Sequence, residues 1–207
     1  MKTEEYAIVL DYMPVGKSSA AKNEPIAQVI GKDYFTLLEV TPKPGVNLSI
    51  GEEIYIGKDE RQKVEIIKGR ITFKKLTSNS IEELEDVIKQ IVEKNPEKFV
   101  NFYNKSRSIS IKRHQLDLLP GIGVKHVREI LNEREKKPFE SFKDIIERVK
   151  GLSDPMNTIV KRIMDELEEP EDKHYLFVRE PHVVPPQAYT GHYRSLQRKE
   201  FLMEDKN

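Results

Sequence analysis

The chain has 207 residues, and its 35 basic and 35 acidic side chains give a formal net charge of zero. It contains no cysteine, which excludes disulfides, thiolate metal sites and cysteine nucleophiles. No apolar run reaches the roughly 18 residues of a membrane-spanning helix, and the N-terminus lacks the pattern of a secretion signal. We therefore expect a cytoplasmic protein with no membrane contact.

The first third of the chain is predicted to be β-structure. Short segments rich in β-branched and aromatic residues alternate with turns that contain glycine or proline. Because closure of a sheet removes its exposed edges, several short strands in this spacing favour a small β-barrel over residues 1–78, of the oligonucleotide-binding (OB-like) type. The predicted strands are 5–13, 25–31, 33–41, 52–57, 63–67 and 70–76.

From residue 80 onward the apolar residues recur at helical spacing. Ser80-Ile81-Glu82-Glu83 predicts a capping box that opens the first helix, and Pro96 predicts the start of a second. The fold class is therefore α+β, with an all-helical domain over 80–169 and a partly extended C-terminal tail over 170–207. The remaining predicted helices are 109–119, 124–136, 142–149 and 155–168.

Positive charge is concentrated in the middle of this helical region. Residues 101–150 carry 12 basic and 7 acidic side chains, whereas the last 57 residues carry 8 and 11. A local excess of this kind attracts polyanions even when the whole chain is neutral. It is equally compatible with the solvated faces of ordinary helices. Six basic residues and one acid, Asp117, lie in the richest stretch: Lys105, Arg107, Lys112, Arg113, Lys125 and Arg128.

The sharpest motif is Leu118-Leu119-Pro120-Gly121-Ile122-Gly123. Glycine permits positive φ and a close approach of backbone to a ligand, and Ile122 is the residue expected to anchor the turn in the core. A helix that begins immediately afterwards offers unpaired N–H groups and the positive end of its dipole. The motif therefore predicts a phosphate site, with Lys125 and Arg128 beside it. The alternative is a tight turn between core helices that binds nothing.

This pattern resembles the helix-hairpin-helix family of nucleic-acid-binding elements, and residues 139–168 resemble the second half of a tandem pair. The second hairpin departs from the family pattern. Ser153 stands where a second glycine would be, and Asp154-Pro155 follows it. Because a carboxylate repels phosphate, we expect the second hairpin to be structural.

Barrel, tandem hairpin and tail together resemble an uncharacterised archaeal family described as RNA-binding, and this resemblance covers most of the chain. It implies an OB-like barrel and RNA as the ligand, but no reaction. DNA stays open, because related hairpins bind duplex DNA. Contacts of this type position a protein on the phosphate backbone without reading sequence.

The sequence thus predicts non-catalytic nucleic-acid binding through a helix-hairpin-helix. No catalytic set, cofactor motif or metal-ligand spacing is found, and the five histidines include no pair at ligand spacing. The alternative function is a protein-interaction adaptor of a ribosome- or RNA-associated complex. The predicted nucleic-acid-binding residues are Gly121, Ile122, Gly123, Lys125, Arg128, Lys112, Arg113, Lys105 and Arg107.

Overall fold

A computed structural model describes residues 3–16, 24–152, 154–168 and 174–180. Within these residues the fold is α+β, with a five-stranded antiparallel sheet followed by helices. The strands of the sheet are β1 (Tyr6–Met13), β2 (Ile26–Gly31), β3 (Leu37–Pro42), β4 (Glu53–Tyr55) and β5 (Val64–Arg70). The helices are α1 (Ser78–Lys94), α2 (Pro96–Lys105), α3 (Val124–Lys136), α4 (Phe142–Arg148) and α5 (Pro155–Glu168).

The sheet has the strand order β4-β1-β2-β3-β5, and each neighbouring pair is antiparallel. It curls into a half-barrel, with β4 and β5 at its two edges. The predicted full closure is not observed among the described strands, where β4 and β5 do not pair. The sheet is therefore barrel-like but open on one side.

The central strands of this sheet are buried on both faces. One face packs on the helices through Ile8, Leu10 and Ile30. The opposite face encloses a smaller apolar cluster inside the curl, which includes Val9, Val29 and Val40. This explains why β2 is buried along its whole length, since a strand between two apolar layers has no solvent-facing side.

Hydrogen bonds join the sheet to the residues on either side of the predicted domain boundary near residue 79. Gln28 Nε2 donates to the backbone carbonyl of Lys75 at 2.9 Å, and Gln28 Oε1 accepts from the Ser80 hydroxyl at 2.8 Å. The Thr77 hydroxyl donates to Asp11 Oδ2 at 2.6 Å. Sheet and helices therefore share polar contacts as well as an apolar core.

The segment 174–180 is fastened to the body by a buried ion pair in α5. Arg162 Nε donates to Glu166 Oε1 at 2.9 Å, and both side chains are almost fully buried. The Glu166 carboxylate also accepts the backbone N–H groups of Leu176, Phe177 and Val178. These residues belong to the predicted tail 170–207; 169–173 and 181–207 lie outside the described residues.

Two local predictions in this part of the chain were wrong. The strand predicted over 70–76 is not formed: β5 runs through Gly69, where a bulge in its pairing with β3 accommodates φ 144°, and Phe73–Lys75 is a 3-10 helix. Helix α1 begins before the predicted Ser80 cap. Thr77 is the N-cap residue, and its hydroxyl accepts the N–H of Ser80 at 3.1 Å. In the described part of the chain no helix is long and apolar enough to cross a membrane.

Candidate nucleic-acid interface

The segment before the Gly121 turn is not the helix predicted over 109–119. It is a small antiparallel hairpin, β6 (Ser108–Ser110) with β7 (Arg113–His114), followed by a 3-10 helix at Gln115–Leu118. His114 caps that helix: its Nδ1 accepts the Leu116 N–H at 3.1 Å, and Asp117 Oδ2 accepts the His114 N–H at 2.6 Å. This reciprocal cap starts the helix at Gln115, five residues before Pro120.

The turn itself is compact and anchored by its apolar residue. Ile122 is buried, and its N–H donates to the Leu119 carbonyl at 3.1 Å. Gly121 has φ 79°, in the left-handed region that favours glycine. The turn thus places Ile122 in the core while Gly121 and Gly123 stay exposed.

Helix α3 begins directly after this turn with an uncapped N-terminus. Gly123 is its N-cap residue and supplies no side chain, and the first bonded amide is Val127 N–H to the Gly123 carbonyl at 3.0 Å. The N–H groups of residues 123–126 precede the first helical bond. Among the described residues none of these four has an acceptor. Unpaired N–H groups and the helix dipole together favour an anion here.

Space around the two glycines is open. A Cβ built on Gly121 or on Gly123 meets no heavy atom within 4 Å. Packing therefore does not require glycine at either position. The backbone φ angle requires it only at Gly121. The open space in front of the turn is large enough for a ligand's backbone to approach the N–H groups.

The predicted basic residues fall into two groups on either side of the 3-10 helix. Lys125 and Arg128 lie on the first turns of α3; the others lie at the end of α2 and on the β6–β7 hairpin. All six are exposed, and none takes part in an ion pair found in the described part of the chain. Those of the second group are Lys105, Arg107, Lys112 and Arg113.

Arg134 links the elements that carry these two groups of basic residues. Arg134 of α3 donates through Nη1 to the carbonyls of Tyr103 and Ser106 at 2.9 and 3.0 Å. Burial lowers the pKa of Arg134 from its usual range, which is the expected response of a cation withdrawn from water. Because the guanidinium joins α3 to the end of α2, it fixes the position of the β6–β7 hairpin relative to the turn.

The helix predicted over 109–119 did not indicate that apolar residues are exposed at this surface. Ile111, at the tip of the β6–β7 hairpin, is fully exposed, and Ile109 and Val124 are also exposed. The alternation Ser108-Ile109-Ser110-Ile111 is a strand signal in the sequence. Two apolar side chains thus stand among the basic residues of the hairpin.

A second turn, Val149–Leu152, has nearly the same backbone. Gly151 has φ 83°, and the Leu152 N–H donates to the Val149 carbonyl at 3.4 Å. Here, however, the Lys150 N–H donates to Glu129 Oε1 at 3.0 Å, and Asp154 Oδ1 accepts the Asn157 N–H at 2.8 Å. The N-terminus of α5 therefore already holds a carboxylate. Ser153, which stands where the family pattern has a second glycine, lies outside the described residues.

The histidines near the site do not form a metal cluster. His114 is buried, and burial, followed by the Arg134 charge, lowers its pKa below the ordinary value. His126 lies near the second turn, with Nε2 3.4 Å from a Cβ built on Gly151. No group of three or more potential metal ligands is found within the described ranges.

Comparison with known proteins identifies the family. Residues 3–179 match a family described as "Protein of unknown function (DUF655)". The chain belongs to the DUF655 family. The match spans the half-barrel, the helices and the docked segment, so the whole described fold is the family's unit.

Two relatives of this DUF655 protein are from archaea. Uncharacterized protein MJ0038 of Methanocaldococcus jannaschii is 42% identical over 179 residues, which is 86% of this chain and 81% of the relative. The crystal structure of Af1531 from Archaeoglobus fulgidus is similar with a TM-score of 0.78 and 44% identity. The alignment covers 85% of this chain and 100% of the Archaeoglobus chain. The predicted resemblance to an archaeal family is confirmed at this level.

Proposed function

We propose that this protein binds nucleic acid without catalysis, by holding backbone phosphates at the Gly121 turn. In this proposal the turn and α3 are a helix-hairpin-helix, the Gly151 turn is its structural second copy, and the half-barrel is of the OB-like type. RNA is the proposed ligand because of the family resemblance drawn from the sequence. Duplex DNA is the competing ligand.

The observation that carries the proposal is the exposed, uncapped start of α3. Four consecutive N–H groups without an acceptor in the described structure face open space, and Lys125 lies among them. Anions bind at such helix starts because the N–H groups and the dipole act in the same direction. A phosphate at this position would satisfy N–H groups that only water can otherwise reach.

The basic residues extend this single site into a surface. Lys125 and Arg128 follow the turn on α3, and the β6–β7 hairpin, which precedes the 3-10 helix, adds Lys112 and Arg113. Side chains of lysine and arginine neutralise phosphates and release counterions, which supplies affinity but little sequence preference. We therefore expect binding that depends strongly on salt and weakly on sequence.

The test is fluorescence anisotropy with labelled single-stranded RNA, structured RNA and duplex DNA of equal length, titrated across salt. Wild type should bind at least one of them, with affinity falling steeply as salt rises. The variant Gly121→Ala/Gly123→Ala should bind about tenfold more weakly while staying folded, because two Cβ atoms now obstruct the approach to the N–H groups.

Gly51→Ala is the matched control for this variant. Gly51 also has positive φ, 77°, and open space around its Cβ position, but it lies in the half-barrel. It should lose a similar amount of stability to Gly121→Ala and none of the affinity. Unchanged affinity in a folded Gly121→Ala/Gly123→Ala protein would remove the turn from the binding site.

The exposed apolar residues favour a second candidate, the protein-interaction adaptor. Ile109 and Ile111 on the hairpin, with Val124 at the start of α3, present apolar surface to solvent. A contiguous exposed apolar patch commonly marks a contact with another protein. Capture of partners from a nuclease-treated lysate separates the two functions. A protein retained by wild type and lost with Ile111→Ser supports the adaptor, whereas loss of all partners after nuclease supports nucleic-acid binding.

A further inference from the structure

The tip of the β6–β7 hairpin carries the most exposed large apolar side chain in the described part of the chain. This side chain is Ile111, which is fully exposed; Val124, the first residue of α3, comes next at 65%. One lies before the Gly121 turn in the chain and the other directly after it. The two most exposed apolar side chains therefore flank the proposed phosphate site in the sequence.

The loop that presents Ile111 is not made of residues that favour a tight hairpin. Its two residues, Ile111 and Lys112, join the paired strands β6 and β7. Two-residue loops normally contain glycine, asparagine or aspartate, because the favoured turns need positive φ. Neither loop residue has positive φ, since Phe35 is the only non-glycine residue with one in the described part of the chain. Positions that depart from local preference are often functional ones.

Hydrogen bonds at the base of the hairpin hold it in one position. The Arg107 N–H donates to Gln115 Oε1 at 2.7 Å, and the Gln115 N–H donates to the Arg107 carbonyl at 2.9 Å. Nearer the tip, the Lys112 N–H donates to the Ser110 hydroxyl at 3.3 Å. A tip supported in this way loses little conformational entropy when it meets a ligand.

The charges around the tip match a polyanion better than an apolar protein surface. Lys112 and Arg113 follow the tip directly, and Lys105 and Arg107 precede the hairpin. Residues 101–113 contain no acidic side chain. Lysine is depleted at the centres of protein interfaces, whereas nucleic acid offers phosphates together with the apolar faces of its bases.

The hairpin and the Gly121 turn lie within reach of one strand. They are separated by the 3-10 helix at Gln115–Leu118, which has four residues. At about 2.0 Å per residue this helix spans about 8 Å. That span corresponds to roughly two nucleotides of a stacked strand, at about 3.4 Å each.

We propose that Ile111 contacts an unpaired base of the nucleic acid whose phosphate is held at the Gly121 turn. The preferred ligand is then a strand with a break in its base pairing, such as a bulge, rather than an intact duplex. Isoleucine is among the apolar side chains that insert between bases. In an intact duplex the neighbouring bases cover both faces of each base, so insertion must first unstack them. This inference rests on the proposed function, because the phosphate site determines where the strand runs.

Fluorescence anisotropy with two duplexes of equal length tests the inference. One is fully paired and the other carries a single unpaired nucleotide, and both are made in RNA and in DNA. Wild type should bind the bulged duplex about tenfold more tightly, because the unpaired site has a smaller unstacking cost. In Ile111→Ser this ratio should fall below about twofold, while the affinity for the paired duplex changes little.

A 2-aminopurine base beside the unpaired nucleotide gives a second readout. Stacking quenches its fluorescence, so the signal should rise when wild type binds and stay constant when Ile111→Ser binds. The variant should melt at the wild-type temperature, because a fully exposed side chain buries no apolar area.

Ile50→Ser is the matched control. Ile50 is also an exposed isoleucine in a turn, at 48%, but it lies in the half-barrel. Its replacement should keep the preference for the bulged duplex. Equal binding of both duplexes by wild type, or a preference that survives in Ile111→Ser, would overturn the inference.

The Gly121→Ala/Gly123→Ala variant separates this inference from the proposed function. It should bind both duplexes more weakly and keep the ratio between their affinities. Unchanged affinity in this variant counts against the phosphate site, whereas the ratio measured with Ile111→Ser decides the role of the hairpin. Wild type that binds neither duplex at low salt would overturn both. Loss of a protein partner in Ile111→Ser, with both duplex affinities unchanged, would assign the tip to the adaptor instead.

Discussion

The two glycine turns of the helical region share a positive glycine φ and the same type of turn hydrogen bond, but they have different surroundings. Gly121 and Gly151 have φ values of 79° and 83°, and each is followed by a buried apolar residue and then by a helix. At the first turn the N–H groups are open and the neighbours are basic. At the second, Glu129 and Asp154 accept N–H groups of the turn and of the helix start.

This difference is the reason why, in the proposed function, only the first turn is expected to bind phosphate. The backbone of either turn can present N–H groups, but a carboxylate of the protein satisfies them as well as a phosphate does. What distinguishes the first turn is the absence of acidic side chains at those N–H groups in the described structure. In the proposed function, the side chains around a turn rather than its shape therefore decide whether the turn binds phosphate.

Charge reversal beside each turn should give the largest difference in nucleic-acid affinity between the two turns. In Lys125→Glu/Arg128→Glu the loss of two phosphate contacts, with new repulsion in their place, should weaken nucleic-acid binding about 100-fold at low salt. The slope of log affinity against log salt should become shallower by roughly 1.4 for single strands. Both are measured by anisotropy.

The control for charge reversal is Lys143→Glu/Lys150→Glu, which makes the same change of net charge on the α4 side of the second turn. This variant should keep most of the affinity. Equal losses in the two variants would show that general charge, not the Gly121 turn, provides the binding.

Strain at the glycines should give a smaller and nearly equal effect on stability. Gly121→Ala and Gly151→Ala each place a Cβ in the left-handed region and should lower the free energy of unfolding by about 1–2 kcal/mol. Gly123 has φ −92°, so Gly123→Ala should cost less. Denaturant unfolding measures all three.

Mutations of Gly121 and Gly151 should differ in their effect on nucleic-acid affinity. Gly151→Ala should leave nucleic-acid affinity unchanged at temperatures where the protein is folded. Its added Cβ also meets His126 Nε2 at 3.4 Å, an ordinary contact. A Gly151→Ala protein that is folded but fails to bind would mean that both turns hold phosphate.

The smallest expected effect is a pH dependence confined to the first turn. His114 accepts the Leu116 N–H at Nδ1 and must be neutral there, and burial, followed by the charge of Arg134, lowers its pKa in the folded state. The unfolded chain has the ordinary value near 6.5. The folded state therefore binds fewer protons, and the stability present above pH 6.5 is lost as pH falls toward the folded pKa.

His114→Asn tests this dependence, because the asparagine Oδ1 can accept the same N–H without titrating. Unfolding by denaturant at about pH 7.5 and about pH 5.5 should show a smaller loss for the variant than for wild type. Identical losses would mean that acidic groups elsewhere account for the whole effect.

Sequence patterns predicted the regular helices better than the segments between them. Helices α3 and α5 occupy the predicted 124–136 and 155–168, because glycine or Asp-Pro precedes a long apolar stripe. The prediction of a helix over 109–119 was wrong, because the His114 cap and the strand-like alternation of residues 108–111 were not recognised.

The turn was visible in the sequence because its residues are consecutive, whereas the hydrogen bond from the Arg179 N–H to the Tyr34 carbonyl was not. These two residues are far apart in the chain, and only the docking of residues 174–180 brings them together. Local periodicity in the sequence carries no information on contacts between residues that are distant in the chain. The open edge of the half-barrel was likewise beyond prediction, because closure depends on which strands pair.

The Glu166 carboxylate has a consequence for how the molecule unfolds. It holds three consecutive amides of the segment 176–178, and the next residue, Arg179, is bonded to the loop before β3. Phe177 also packs against Phe99 and Phe102 of α2. Because this segment contacts both the helices and the sheet, opening of one part disrupts contacts of the other. We therefore expect the half-barrel and the helices to unfold as one cooperative unit rather than as two independent foldons.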